Sequence, residues 1–285
     1  MIIDFSSTPP LPELRGVTPH LQNYRRVYRA SEEQTDQAVG PEALASYLRL
    51  YDALDARTVV VKARDAESTF GFKIENRDLA RFCQTHGPRF IGFAGVDPHK
   101  GKPAVAELEI AVKELVLSGL NLQCFEHKLH PNDRLLYPLY AKCVELDVPV
   151  RIYSTMNYAN DRPYDLGHPR HLDQVAMDFP ELRIVAGLSG WPWVNDLVGL
   201  LRRHPNLYCD TASHHPRYFG VPGSGWEMFL QFGNTLLQDK IMIGFSKDSF
   251  GLTVPQLAAL YEELPLKETV IEKWLYGNAK RFLRR

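Results

Sequence analysis

A long apolar run is the first feature that this sequence lacks. None of its uninterrupted apolar stretches approaches the roughly 20 residues that a membrane span requires, and its first residues show no basic segment followed by an apolar stretch of signal-peptide type. Positive charge is not in excess either: 33 Lys and Arg stand against 34 Asp and Glu, a formal net charge of −1. Since Lys and Arg supply most of the affinity for a phosphate backbone, we expect neither a nucleic acid nor a membrane as a partner.

Cysteine is also scarce. The four cysteines, Cys83, Cys124, Cys143 and Cys209, lie far apart and form no Cys-x-x-Cys pair. This pattern favours free thiols in a reducing compartment over a disulfide framework or a zinc knot. We therefore expect a cytoplasmic protein.

The composition is otherwise that of a large globular domain. Of the 285 residues, 45% are apolar and 24% are charged, which is sufficient for an extensive core. Barrels of alternating strands and helices reach this length as one domain. Because no linker, repeat or low-complexity tract interrupts the chain, we expect a single domain over residues 1–285.

Eight short runs of β-branched and other apolar residues are spaced along the chain. They are nearly continuous rather than alternating, which is typical of parallel strands buried on both faces. They cover residues 2–5, 58–62, 90–96, 120–124, 148–153, 182–186, 207–210 and 241–244.

Helical periodicity fills the intervals between these runs. Apolar residues recur at spacings of three and four after Pro41 and over 103–117, 135–146, 172–179 and 194–203. Strand–helix alternation repeated eight times predicts a single (β/α)8 TIM-like barrel, with an open doubly wound sheet as the alternative.

Residues 9–40 depart from this alternation. They are rich in Pro and charged residues, with Tyr24 and Tyr28 interspersed. We expect a loop with a short helix, inserted after the first strand and lying over the end of the barrel. Active sites of such barrels form at the C-terminal ends of the strands, so functional residues are sought there.

Six motifs follow one another along almost the whole chain: Phe90–Phe93 with Val96–Pro98, Asp133–Tyr140, Gly167–Asp173, Phe179–Leu182, Gly190–Trp193 and Gly277–Ala279. Singly they are weak, but in this order and spacing they resemble the amidohydrolase-2 family, typified by aminocarboxymuconate-semialdehyde decarboxylase. The resemblance implies an amidohydrolase-type barrel. It also implies hydrolysis or non-oxidative decarboxylation of small organic acids at a divalent metal.

The metal site is where the sequence departs from that family. The resemblance implies Asp-x-His-x-His at the end of the first strand, but Ser6 and Thr8 stand at the two histidine positions. The ligand positions implied on strands five, six and eight are occupied by Tyr153, Leu188 and Ser246. These side chains do not replace His and Asp as ligands of a transition metal. We therefore expect no metal and no other cofactor.

Two groups of histidines leave a relocated metal site open. Glu126, His127 and His130 follow the fourth strand, and we prefer to interpret them as a solvated loop. His214 and His215 follow the seventh strand at the catalytic face, where one of them would line the pocket.

Side chains at the strand ends supply the candidate site residues. The candidates for acid–base catalysis are Tyr153, His214, His215 and Asp248. The candidates for substrate binding are Ser6, Thr8, Lys62, Arg151, Trp191 and Ser246.

Arg151 has two interpretations. It shares a strand face with Tyr153, so it is expected to point into the barrel one layer below that tyrosine. A buried guanidinium needs an acid, and Asp4 or Asp210 would supply it. Alternatively, Arg151 binds a substrate carboxylate through two hydrogen bonds.

The family resemblance implies a small organic acid, lactone or ester as substrate. Combined with the changed ligand positions, it predicts a metal-independent enzyme, with hydrolysis favoured and non-oxidative decarboxylation second. The alternative is a non-catalytic barrel subunit that partners a metal-bearing relative. The mostly polar replacements at the ligand positions favour a working pocket. The family resemblance implies a homodimer, or a heteromer with a related barrel.

Overall fold

Eight parallel strands form the centre of the molecule. The computed structural model of the chain describes residues 1–15, 22–28, 39–53, 56–246 and 252–284. Within them the barrel strands are β1 (Ile2–Ser7), β2 (Ala56–Lys62), β3 (Phe90–Phe93), β4 (Leu120–Leu122), β5 (Val150–Tyr153), β6 (Ile184–Gly187), β7 (Leu207–Asp210) and β8 (Ile241–Met242). A short antiparallel pair, Asp65–Ala66 with Phe72–Lys73, follows β2.

Helices alternate with the strands along the chain. The α-helices are α1 (Pro12–Arg15), α2 (Gln22–Tyr28), α3 (Pro41–Ala53), α4 (Glu67–Phe70), α5 (Asn76–Thr85), α6 (Lys102–Lys113), α7 (Cys124–His127), α8 (Tyr137–Glu145), α9 (Arg170–Asp178), α10 (Val194–Arg203), α11 (Glu227–Gly233), α12 (Val254–Glu262), α13 (Glu268–Glu272) and α14 (Asn278–Phe282). Within the described residues, no helix combines the length and the apolarity that crossing a membrane requires.

The sheet closes on itself. Strands β1, β2 and β3 pair in that order, and β4 to β8 pair in sequential order. A parallel bridge between Ala94 and Leu120 joins β3 to β4. The backbone N–H of Phe5 donates to the carbonyl of Ile243 at 2.8 Å, which joins β1 to the end of β8. Closure confirms the (β/α)8 barrel predicted from the sequence and rules out the open doubly wound sheet.

The inside of the barrel is apolar at the end where the strands begin. Phe5, Val60, Phe93 and Val185 belong to a buried cluster there, together with Phe282 of α14. The rings of Phe5 and Phe282 meet edge to face with centroids 5.8 Å apart. Helix α14 therefore closes this end of the barrel, which leaves the opposite end for a pocket.

Inward-facing positions become polar or small toward the C-terminal ends of the strands. Because side chains alternate along a strand, Val60 and Lys62 of β2 share the inner face, as do Tyr208 and Asp210 of β7. The outward positions between them, such as Val61, belong to the apolar layer between strands and helices. The same alternation of side chains therefore places apolar residues in the lower part of the barrel interior and a layer of polar residues above them.

The strand and helix predictions differ from the structure mainly at their ends. The third strand stops at Phe93 instead of residue 96, and the fourth at Leu122 instead of Cys124, because Cys124 begins the helical turn α7. The predicted helices correspond to α3, α6, α8, α9 and α10. Of segment 9–40, the described part forms α1 and α2.

Candidate active site

A cavity of about 270 Å³ opens at the C-terminal end of the barrel. Its wall is built from the ends of β1, β2, β4 and β5, the loops that follow β5 to β8, and α1 and α2. The described residues that line it are Ser6, Thr8, Leu14, Tyr24, Lys62, Arg64, Ile74, Asn121, Gln123, Phe125, Arg151, Tyr153, Thr155, Met156, Tyr158, Leu188, Ser213, His214 and Ser246. None of these is an Asp or a Glu, so the lysine and arginine side chains of the described lining are cationic and no lining side chain is anionic.

Lys62 lies at the centre of a small hydrogen-bonded cluster. Its ammonium donates to Oγ of Ser6 at 2.6 Å, and that hydroxyl lies 3.0 Å from Oγ of Ser246. Strand β2 and the closing edge between β1 and β8 bring these three residues together. The sequence analysis named all three as substrate-binding candidates, and the structure places all three on the cavity wall.

The surroundings of Lys62 favour its neutral form. Burial and the nearby charge of Arg151 lower the pKa of Lys62 to about 7, and the carboxylates of Asp210 and Asp4 offset only part of that shift. Among the described residues, no carboxylate lies within ion-pair distance of Lys62. An amine with this pKa exists in both protonation states near neutral pH.

Asp4 supports the cluster from below. Its Oδ1 accepts the backbone N–H of Ser6 at 2.9 Å and of Phe245 at 3.0 Å, and its Oδ2 accepts the hydroxyl of Tyr51 at 2.6 Å. Burial raises the pKa of Asp4 to about 6, although these hydrogen bonds and the charge of Lys62 oppose the rise. By bonding both strand ends, Asp4 fixes the spacing at which Ser6 meets the residues after β8.

Arg151 forms a buried ion pair with Asp210. Its Nε lies 2.5 Å from Oδ2 and its Nη2 lies 3.2 Å from Oδ1 of that aspartate. Gly187 on the neighbouring strand makes room for the guanidinium, because a Cβ there would lie 2.7 Å from Cζ of Arg151. The structure therefore selects Asp210 over Asp4 as the acid, while Arg151 still lines the cavity.

Aromatic side chains form one wall of the cavity. Tyr153 projects from the end of β5, packs on Phe125 with ring centroids 4.4 Å apart, and donates its hydroxyl to the carbonyl of Met156 at 2.8 Å. The hydroxyl of Tyr24, from α2, lies 3.4 Å from that of Tyr153. Thr155 completes this wall and donates to the carbonyl of Trp191 at 2.5 Å.

The two histidines after β7 lie in different environments. His214 lines the cavity, and its Nε2 lies 2.7 Å from the carbonyl oxygen of Leu188. Since a carbonyl only accepts, Nε2 carries the proton and Nδ1 holds the lone pair of the neutral ring. Burial lowers the pKa of His214 to about 4. His215 is not among the described lining residues; its Nδ1 accepts the backbone N–H of Arg217 and caps a short helical turn.

The other two candidates occupy different places. Trp191 is not among the described lining residues, and its ring lies 6.4 Å, centroid to centroid, from each of Tyr158 and His214, behind the wall. Asp248 lies outside the described residues.

The residues at the family's metal positions do not fit a divalent ion. Ser6, Thr8 and Ser246 offer neutral hydroxyls, and Leu188 offers no ligand. The hydroxyl of Tyr153 donates to the carbonyl of Met156, and the ammonium of Lys62 donates to Ser6. The described residues contain no group of three or more His, Cys, Asp or Glu arranged to hold an ion. A transition metal needs imidazole, thiolate or carboxylate ligands.

The group that follows β4 is not a solvated loop, and that interpretation was wrong. Glu126 and His127 are buried in the helical turn α7, at 0% and 3% exposure. Arg64 forms an ion pair with Glu126 at 2.8 Å. The ring of His130 packs instead against that of His171, with centroids 4.3 Å apart.

Sequence reasoning missed several cavity residues. Arg64, Gln123 and Thr155 lie at predicted strand ends, so their position was a usable signal, but nothing in their local pattern distinguished them from surface residues. Tyr24 reaches the cavity from an insertion far away in the chain. The sequence analysis expected its segment to lie over the end of the barrel, but which side chain of that segment enters the cavity depends on tertiary packing.

Fold and site together define a class of protein: a (β/α)8 barrel whose C-terminal cavity is lined by a lysine, two arginines and hydroxyl groups. The sequence profile of the amidohydrolase family matches residues 33–285. The chain belongs to the amidohydrolase family.

Known proteins resemble this chain to different extents. A 2-keto-4-carboxy-3-hexenedioate hydratase of Sphingobium sp. is 30% identical over a match that covers 39% of this chain and 41% of the hydratase, less than half its length. An uncharacterised TIM-barrel protein of Bordetella bronchiseptica is 27% identical, with a TM-score of 0.80 over 99% of this chain and 98% of that one. The 5-carboxyvanillate decarboxylase of Sphingomonas paucimobilis, 15% identical, has a TM-score of 0.66 over 99% and 98%, which shows a shared fold.

Proposed function

We propose that this chain is a metal-independent enzyme that catalyses the attack of water on a small organic acid, presented as its lactone or ester, in the cavity at the C-terminal end of the barrel. The observation that carries the proposal is the cluster of Lys62 with Ser6 and Ser246, two residues at positions where the family resemblance implies metal-site residues. An amine and two hydroxyls can move a proton there, although they cannot hold the ion.

The charge of the cavity supports an anionic substrate. Lys62, Arg64 and Arg151 line it, and the acids that pair with the two arginines, Glu126 and Asp210, are not among the described lining residues. A carboxylate entering the cavity therefore meets donors on several sides, and charge-assisted hydrogen bonds of this kind are the stronger class.

Water attack needs a base and a group that stabilises the developing oxyanion. Because the pKa of Lys62 is near 7, part of its amine is neutral near physiological pH, and the neutral amine can accept a proton from water. The guanidinium of Arg64 is a donor on the same cavity and would bind the oxyanion. The hydroxyl of Tyr153 would join it after turning away from the carbonyl of Met156, to which it donates at 2.8 Å. A lactone or activated ester has a good leaving group, so this set suffices without a Lewis acid.

Addition of water across a conjugated carbon–carbon double bond is the second candidate. The partial match to a hydratase of a keto acid favours it. This reaction would use the same base and the same anion-binding cations. Water attacks one alkene carbon, the other takes up a proton, and no leaving group departs.

The test is turnover by protein freed of metal. Protein dialysed against a chelator, with its metal content measured by plasma mass spectrometry, is assayed on small lactones, aryl esters and unsaturated 2-oxo acids. We expect turnover that added zinc or manganese does not increase, and a loss of about 10²–10⁴-fold in Lys62→Met. Lys113→Met, which alters a surface pair with Glu109, is the matched control and should retain activity. Turnover that appears only with added metal would refute the proposal.

A further inference from the structure

We infer that Lys62 is a nucleophile that forms an imine with the keto group of a 2-oxo carboxylic acid. The inference rests on the proposed function for one point only, that the cavity binds a small organic acid. The inference goes beyond the proposed function by assigning a covalent step, a nucleophile and a substrate class.

The position of Lys62 is the first argument. Among the described residues it is the only lysine that lines the cavity, and it reaches there from the inner face at the end of β2. Several lysines outside the cavity pair with acids; Lys100, for example, pairs with Asp65 and Glu67, each at 2.7 Å. An amine that contacts a hydroxyl and faces a cavity keeps its lone pair available to a ligand.

The amine is also chemically prepared for attack. Burial and the charge of Arg151 place the pKa of Lys62 near 7, so a large share of the amine is neutral at physiological pH. Desolvation beside another cation is a known way to activate a lysine for Schiff-base chemistry. Among the charged groups facing Lys62 are Asp4, Arg64, Arg151 and Asp210.

The covalent step balances with groups at the site. The nitrogen lone pair forms the C–N bond as the carbonyl π pair moves to oxygen, and a proton passes from nitrogen to that oxygen, which gives a carbinolamine. Ser6, 2.6 Å from the amine, and Ser246, 3.0 Å further on, lie in place to relay this proton. Loss of one water then leaves the C=N bond, and no oxidant or reductant takes part.

The substrate class follows from the charges around the amine. In a 2-oxo acid the carboxylate is bonded directly to the keto carbon that the amine attacks, and Arg64 and Arg151 line the same cavity as Lys62. The volume of about 270 Å³ suits a small acid. A protonated imine withdraws electrons from the chain beside the former keto carbon. It therefore supplies the electron sink for water addition to a double bond conjugated with it, or for loss of carbon dioxide from a second carboxylate on the adjacent carbon.

Reductive trapping tests the imine directly. The full-length protein is incubated with pyruvate and sodium cyanoborohydride, and the product is analysed by intact mass and by tandem mass spectrometry of its peptides. We expect one adduct per chain, located on Lys62. Acetone, a ketone that lacks the carboxylate, should label it about tenfold less, the factor expected for one lost charge-assisted hydrogen bond.

Lys240 is the internal control. Burial lowers its pKa to about 8, but its ammonium donates to backbone carbonyls at the opposite end of the barrel, away from the cavity. Lys62→Arg keeps the positive charge and should abolish labelling, and thermal denaturation establishes that it is folded. If this variant does not fold, the position of the label in the peptides of the wild-type protein is by itself the test of the imine.

The outcomes separate the two proposals. No adduct, or label spread over several lysines including Lys240, would overturn the imine whatever the protein hydrolyses. Label on Lys62 supports the imine even if no lactone or ester is turned over, since trapping does not depend on turnover. Hydrolysis without trapping would leave water attack standing with Lys62 as its base.

Discussion

The pair between Arg151 and Asp210 gives a quantitative stability prediction. Both side chains are almost completely buried, at 1% and 0% exposure, and two guanidinium nitrogens bond the carboxylate. Asp210→Asn removes the negative charge and turns one accepting oxygen into a donor that faces the guanidinium. Breaking a buried pair by removing one partner costs about 3–5 kcal/mol, and we expect the free energy of unfolding to fall by that amount.

Urea denaturation measures this loss, with the free energy extrapolated to water. The matched control is Asp239→Asn, because Asp239 pairs with Lys273 and Arg281 at 3.1 and 3.0 Å but is half exposed. An exposed pair is worth about 0–1 kcal/mol. Adding Arg151→Met to the Asp210→Asn protein removes the stranded charge and should recover part of the loss. A loss no larger than that of the control would refute the account of the buried pair.

Three further predictions follow from the same region. Gly187→Ala should lower the free energy of unfolding by about 1–3 kcal/mol, because its Cβ overpacks against Arg151. Gly199→Ala, which has open space at its Cβ, should cause no such loss, and the midpoints of urea denaturation compare the two variants. Between pH 7 and 10.5 the unfolded chain holds a proton on Lys62 that the native state has lost, so stability should rise with pH across this window relative to Lys62→Met. Tyr153→Phe should lower turnover about 10²-fold or more; unchanged turnover removes the phenol from the mechanism.

The fold was predictable because its signals are local. Each barrel strand is a short, nearly continuous apolar run, and eight such runs alternating with helical periodicity leave few architectures. Helix α5 was missed because polar residues outnumber apolar ones in it, although Leu79 and Phe82 are buried on one face. Strand ends were displaced where a strand leads directly into a helical turn, as at Cys124.

The site was predictable where strand geometry fixes direction. The alternation of Arg151 and Tyr153 placed both on the inner face, and both line the cavity. The pair His214 and His215 could not be resolved in the same way, because the turn after β7 decides which ring faces inward. The sequence also could not identify the acid partner of Arg151. That choice depends on which strands face each other across the closed barrel, which is a property of the whole fold.

The energetics of Lys62 bear on whether the cavity is used. A lysine whose pKa falls from 10.5 to about 7 on folding makes the native state less stable at pH 7 by on the order of 4 kcal/mol. A barrel that served only as a structural subunit would gain by replacing it with an apolar side chain, as Leu188 fills the ligand position on its own strand. Groups that oppose stability are expected where a working site needs them. The presence of a destabilising amine among Ser6, Ser246 and two arginines therefore favours a chemical role over a purely structural one.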